Sequence, residues 1–250
     1  MAQTPKPQNP RINRAHPLAR GLVAAWPMWE GGGDKLRDIA RGHDGTLVNS
    51  PTWKSTQHGT ALALTHAVSG GPHATIPVSV ISSQISFSVW VRPDFDGSAP
   101  VFAEPLYNIW TFGTGDFNYD ISLRFENRNR DGIDNTWGVF ADYNTVGAYL
   151  LGGETQTTIV PGDMFHLVVT MDFAADNYAL YVDGALAGTS TASISLPTLT
   201  YAWIGCENAG AQTWEGEISD VRVHNRVLTA GEVKSAYVSP WALYTRPLFG

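Results

Sequence analysis

Glu217 and Asp220, three positions apart in Trp214-Glu-Gly-Glu-Ile-Ser-Asp-Val-Arg-Val-His224, are the two carboxylates that most resemble an acid–base couple in this sequence. A retaining sugar hydrolase needs two carboxyl groups about 5 Å apart on one side of the scissile bond. Side chains alternate along a strand, so a spacing of three sends these two to opposite faces unless a bulge re-phases the chain. None of the eight glutamates (30, 104, 126, 154, 207, 215, 217 and 232) is followed two residues later by an aspartate. The sequence also lacks a Gly-x-Ser-x-Gly elbow, a His-Glu-x-x-His pair, a phosphate loop and a helix-opening Gly-x-Gly-x-x-Gly. The seven histidines are scattered, and His166, inside an apolar run, is expected to make a structural hydrogen bond. An enzyme is not expected.

A different chemistry is legible between residues 107 and 144. Tyr107, Trp110, Tyr119, Trp137 and Tyr143 alternate with Asn108, Asn118 and Asn144. Sugar recognition uses aromatic faces flanked by amides and acids, which makes Trp110, Trp137 and Tyr143 candidate glycan contacts. The same spacing also suits rings that pack in a core or on a sheet. Asp131, Asp134 and Asn135 read as chemistry of a polar hairpin turn.

Composition bounds the partners. The 250 residues carry a net charge of −7, which argues against nucleic acid as a partner. Apolar residues make up 43 %, enough for a sizeable core, and 25 glycines with 15 prolines point to many turns. No apolar run approaches the roughly 18 residues of a membrane span, so no membrane partner is expected. The first residues contain no apolar stretch of a secretory signal, and synthesis in the cytoplasm is expected. The single cysteine, Cys206, leaves no internal disulfide and reads as a buried thiol.

Positioning falls to strands. Residues 22–28 open the series, and 85–91 alternate cleanly, with Ile85, Phe87, Val89 and Val91 facing one way and Ser86, Ser88 and Trp90 the other. Residues 107–112, 119–125, 136–143 and 146–151 read as further strands, and 164–171 pair with 177–184, which ends in a turn, as a hairpin. In 216–223 the apolar Ile218 and Val221 break the period of two, which predicts an edge bulge at Ser219–Asp220 with the Asp220 carboxylate turned outward. Thr229-Ala-Gly-Glu232 is a capping box that starts one short helix, stopped by Pro240. Residues 1–20 hold Pro5, Pro7, Pro10 and Pro17 with four basic and no acidic residues, an extended arm. Residues 241–250 form an apolar tail that docks either on its own domain or on a partner. The domain between them spans 21–240.

The ordered run Gly-x-Ile-x-Asp-Val-Arg-Val-x-Asn-Arg-x-Leu-Thr-x-x-Glu-Val at 216–233 resembles the closing signature of laminin-G-like domains in the concanavalin A-like lectin/glucanase superfamily. Ser-Val-Trp-Val-Arg-Pro at 88–93 and Tyr-x-Leu-Tyr-Val-Asp-Gly at 178–184 carry the same resemblance. It implies an all-β fold, a two-sheet antiparallel jelly-roll sandwich with one short C-terminal helix. Glucanases of this superfamily use Glu-x-Asp-x-x-Glu, which is missing here. The resemblance further implies a structural calcium held by Glu30, Asp38 and Asp220, on an ion that takes six to eight hard oxygens. The fold alone does not choose a function. The leading expectation is a structural subunit of a virus particle, a phage capsid decoration or tail protein, gripping other subunits through residues 1–20 and 241–250. The alternative is a carbohydrate-binding lectin or adhesion module that meets surface glycans.

Overall fold

Apolar residues at alternate positions give each strand one face that must be covered, and two sheets satisfy each other. A computed structural model describes residues 6–56, 59–95, 106–114, 119–126, 136–143, 146–151, 161–196 and 198–245; for 106, 119, 126, 136–143 and 146–151 it describes the backbone alone. One sheet runs, edge to edge, β12 (Val146–Leu151), β11 (Thr136–Tyr143), β10 (Tyr119–Glu126), β9 (Leu106–Gly113), β16 (Tyr201–Ile204), β7 (His73–Thr75), β4 (Gly45–Val48) and β3 (Lys35–Leu36). The other runs β15 (Ala185–Ser190), β14 (Asn177–Val182), β13 (Phe165–Asp172), β8 (Gln84–Pro93), β17 (Gly216–His224), β6 (Gly59–Leu64) and β5 (Thr52–Thr56), with β2 (Leu22–Trp26) also paired to β17. The strand pairs are antiparallel, as a jelly-roll sandwich requires.

Between the sheets lies the main core. Ile85, Phe87, Val89 and Val91 of β8 and Ile218, Val221 and Val223 of β17 meet Trp110, Phe112, Ile121, Leu123, Phe125 and Ile204 from the opposite sheet. Phe87 and Trp110 touch with ring centroids 4.6 Å apart, and Trp110 stacks on Phe112 at 4.9 Å.

The second sheet is covered on its outer face as well. The helix α1 (Ala230–Val238) begins at Thr229 with both halves of the capping box formed. Its Val233 and Ala236 join Leu18, Val168, Tyr181, Trp241, Leu243 and Tyr244 in a separate apolar cluster. Both terminal segments contribute to it. β1 (Arg11–Ile12) pairs with β18 (Tyr244–Thr245), and Asn13 N–H donates to the Leu243 carbonyl at 2.8 Å. Within the described residues, then, 6–20 and 241–245 lie on their own sandwich, whereas the assembly reading had them reaching for neighbours.

This double covering decides the character of β17, all nine of whose residues are buried. The expected bulge is present, with the register on β8 shifting between Ser219 and Arg222 and Asp220 at φ 52°. The strand is no edge, however, since β8 flanks it on one side and β6 and β2 on the other. Asp220 points away from the main core into a second buried layer and never reaches water.

Candidate functional site

The acidic positions come first. Glu217 and Asp220 both leave the main core on the same side of β17, because the bulge re-phases the strand. Each is neutralised by its own cation. Glu217 takes a paired hydrogen bond from Arg92, Nε at 2.7 Å with Nη2 on its other oxygen, and lies 3.0 Å from Lys54 Nζ. Burial alone would raise the Glu217 carboxyl, but Arg92 and Lys54 outweigh it and hold it below the ordinary glutamate value. Asp220 accepts from the Arg222 guanidinium and from the Tyr244 hydroxyl. Burial would pull the Arg222 charge off, yet Asp220 and Tyr244 keep it on. Both carboxylates are thus engaged by side chains of the chain itself, Glu217 by Arg92 and Lys54 and Asp220 by Arg222 and Tyr244.

The calcium set does not converge either. Asp38 accepts four backbone N–H groups, from Ala25 at 2.7 Å, Ala40 at 2.8 Å, Arg41 at 3.1 Å and His43 at 2.8 Å, and thereby closes its own loop. Glu30 accepts the Arg37 N–H at 2.6 Å, and its Oε2 has no hydrogen-bond partner among the described residues. Asp220 is occupied as above. Among the described residues no three His, Cys, Asp or Glu side chains are grouped closely enough to hold a metal ion. Where segments 27–30 and 219–220 approach each other stands a cation of the chain itself: Lys6 Nζ donates to the carbonyls of Pro27 and Met28 and to Ser219 Oγ.

The aromatic candidates divide. Trp110 is 2 % exposed and belongs to the main core, so it offers no platform to a ligand. The bulge opposite Leu123 and Arg124 is what turns it inward. The side chains of Trp137 and Tyr143, like residues 131–135, lie outside the described residues. In backbone register Trp137 stands opposite Phe125 and Tyr143 opposite Tyr119.

What the sequence reading missed is on the other face of that sheet. Across the strands, Ser122 stands opposite Thr111, Thr111 opposite Trp203, Trp203 opposite Thr75 and Thr75 opposite Thr46. Cross-strand partners share a face. Their chain neighbours Ile121, Leu123, Phe112, Ala202, Ile204 and Ala74 belong to the core, so this row faces away from it. One step along, Arg124 stands opposite Asn108, and Asp120, Gly113 and Tyr201 form another row. Tyr201 and Trp203 stack at 3.7 Å, and His73 meets Trp203 edge-on at 6.3 Å. Asn108 Nδ2 donates to the Gln212 carbonyl at 3.1 Å. Asn108 Oδ1, Thr111 Oγ1 and Gln212 Oε1 are buried without a hydrogen-bond partner among the described residues. Buried polar atoms are seldom left so. The alternation Tyr201-Ala202-Trp203-Ile204 was the available signal, since it separates two rings of a small outer cluster, 8 % and 9 % exposed, from two residues of the main core.

Remaining buried histidines and the thiol are structural. His166 shares a 2.9 Å hydrogen bond with Ser88 Oγ and stacks on Trp90, and burial, then Arg222, pushes its pKa down to about 3. His224 Nε2 donates to the Leu18 carbonyl at 2.8 Å, and burial lowers its pKa to about 4. Since a carbonyl only accepts, His224 Nε2 carries the proton. Burial pushes the Cys206 thiol up to about 12.

Residues 68–234 match the family described as the concanavalin A-like lectin/glucanases superfamily. No curated protein matches the sequence. Among solved structures, the chain is similar to domain 4 of an extracellular arabinanase from Geobacillus stearothermophilus, solved in complex with arabinotriose. The TM-score is 0.65 at 21 % identity, over 86 % of this chain and 97 % of that one. Trypanosoma rangeli sialidase is similar at TM-score 0.60 and 19 % identity, over 89 % of this chain and 33 % of that one. The binding domain of botulinum neurotoxin DC, in complex with rat synaptotagmin II, is similar at 0.62 and 11 %, over 88 % and 51 %. The chain therefore spans about a third to a half of those last two proteins. At these identities the likeness is one of fold.

Proposed function

Because the chain belongs to the concanavalin A-like lectin/glucanase superfamily, we propose that it is a non-catalytic binding module and that its ligand is a glycan. The observation that carries this reading is the face around Tyr201 and Trp203. Trp203 of a stacked aromatic pair stands opposite Thr111 on the face that also carries Asn108, and Thr111 Oγ1 and Asn108 Oδ1 have no partner among the described residues. A sugar presents an apolar ring face to the aromatics and hydroxyls to the acceptors. The neighbours support the class, since one of them is an arabinanase domain solved with arabinotriose and another a toxin binding domain.

Glycan-array screening of the full chain, with arabino-oligosaccharides and sialylated glycans included, tests it. Binding is expected, with Trp203→Ala abolishing it and Thr111→Val, which keeps the volume and removes the hydroxyl, weakening it about fivefold to tenfold. A blank array from cooperatively folded protein overturns the reading. The second reading, a structural subunit of a phage particle, drew on terminal arms free to grip neighbours. Residues 6–20 and 241–245 are engaged with their own sandwich, so the glycan reading is preferred. Native mass on purification separates the two, since a particle subunit runs as a large assembly that truncation of 1–20 or 241–250 dissolves.

A further inference from the structure

Lys6 is the least ordinary charge in the molecule. It is 4 % exposed, although lysine is almost never fully buried without a partner. Its ammonium faces four oxygens from three separate stretches of chain: the carbonyls of Pro27 and Thr60, the Met28 carbonyl at 3.2 Å and Ser219 Oγ at 3.0 Å. Burial lowers the Lys6 pKa to about 8, Asp220 and then Glu30 working against the fall and Arg222 adding to it.

The enclosure is built for a cation. Successive carbonyls on an extended strand point to opposite sides, yet those of Pro27 and Met28 both meet Nζ. Met28 sits at φ 53°, a conformation that side chains seldom adopt, and this turn brings its carbonyl round. Asp220, next to Ser219, is held at φ 52° on the opposite wall. A Cβ on Gly59 would come within 2.9 Å of Lys6 Cβ, so the lysine stem enters where a side chain has been left out.

We propose that the resident cation between the 27–30 loop and the closing strand is the Lys6 ammonium, so that the first arm takes the structural place expected for calcium and the sandwich closes without a divalent metal. An ammonium is a point charge with three donors, matched to carbonyl oxygens in the manner of a small hard ion. The N-terminal segment is then a latch, fastened at Lys6 and again at the strand pair of Arg11–Ile12 with Tyr244–Thr245. The proposal stands apart from the glycan reading, because it concerns closure of the fold and is read out by stability.

The test is thermal melting of the full chain and of Lys6→Met, each in chelator and in calcium chloride. The unmodified chain is expected to melt at the same temperature under both conditions. K6M keeps the length of the side chain and loses the charge. It is expected to melt on the order of 5–10 °C lower and to recover part of the loss in millimolar calcium, the emptied oxygens accepting a hard cation. A melting temperature of the unmodified chain that falls in chelator and returns with calcium overturns the proposal. So does K6M melting like the unmodified chain, and so does a folded K6M that calcium leaves unchanged, since Lys6 would then only be packing. Should K6M not fold, nitrogen-15 lysine spectra of the unmodified chain decide. A slowly exchanging ammonium signal supports the proposal, and fast exchange from every lysine overturns it.

Discussion

Replacing Arg222 by methionine should strip the second buried layer of its organising charge. The guanidinium is wholly buried, donates to Asp220 and to the Pro240 carbonyl, and reaches the Tyr244 hydroxyl through Nε at 3.2 Å. Its carbon lies 4.9 Å over the Tyr244 ring. Methionine fills much of the volume, so the loss is electrostatic. Asp220, 0 % exposed, would keep the Tyr244 hydroxyl and lose its counter-charge. Breaking a buried pair from one side costs about 3–5 kcal/mol. For a domain of this size each kcal/mol lowers the melting temperature by about 2–4 °C, so a fall of roughly 6–20 °C is expected. Urea unfolding measures it directly. The decisive arm is Asp220→Asn combined with Arg222→Met. Asn keeps the shape and tolerates the positive φ, and with both charges gone the double variant should recover roughly 1–3 kcal/mol against the sum of the singles. A loss below about 1 kcal/mol in R222M, or strict additivity in the double variant, would refute the view that this pair fastens the tail to the sheet.

Acid should loosen the fold through two histidines. His166 and His224, held at about 3 and about 4, stay neutral inside while the unfolded chain takes up protons near 6.5. Their contribution is therefore complete above pH 6.5 and is lost as pH falls toward 4, by about 1.4 kcal/mol per pH unit for each. Urea midpoints between pH 7 and 5 should show this slope, and His224→Gln should roughly halve it. Gly216→Ala should cost about 2–4 kcal/mol, because at φ 128° an added Cβ runs into the Arg92 carbonyl and lies 2.9 Å from the Asp94 nitrogen. Gly188→Ala is the control, with nothing within 4 Å of the added atom, and its melting temperature should stay close to that of the unmodified chain.

Much of the fold was legible because its signals are local. The alternation at 85–91 produced β8 with the apolar face inward, the capping box at Thr229 and Glu232 formed on both sides, and the broken period at Ser219–Asp220 was a bulge. The site was less legible, because the face a ring takes depends on register across strands. Trp110 looked like a platform and is core, since a bulge between β9 and β10 shifts it. Tyr201 and Trp203 drew no notice, since their four-residue strand carries no partner information of its own.

Residue types and spacing by themselves determined the alternating strands, the capped helix and the bulge in β17, and the resemblance to laminin-G-like domains implied the antiparallel sandwich. Which cation answers each carboxylate was decided only by tertiary structure. Arg92 comes to Glu217 from 125 positions away. Lys6 comes to Ser219 from 213 positions away. Local sequence carries no record of such distances, and only the packing of both terminal segments over one sheet brings these groups into a layer dry enough for their charges to matter.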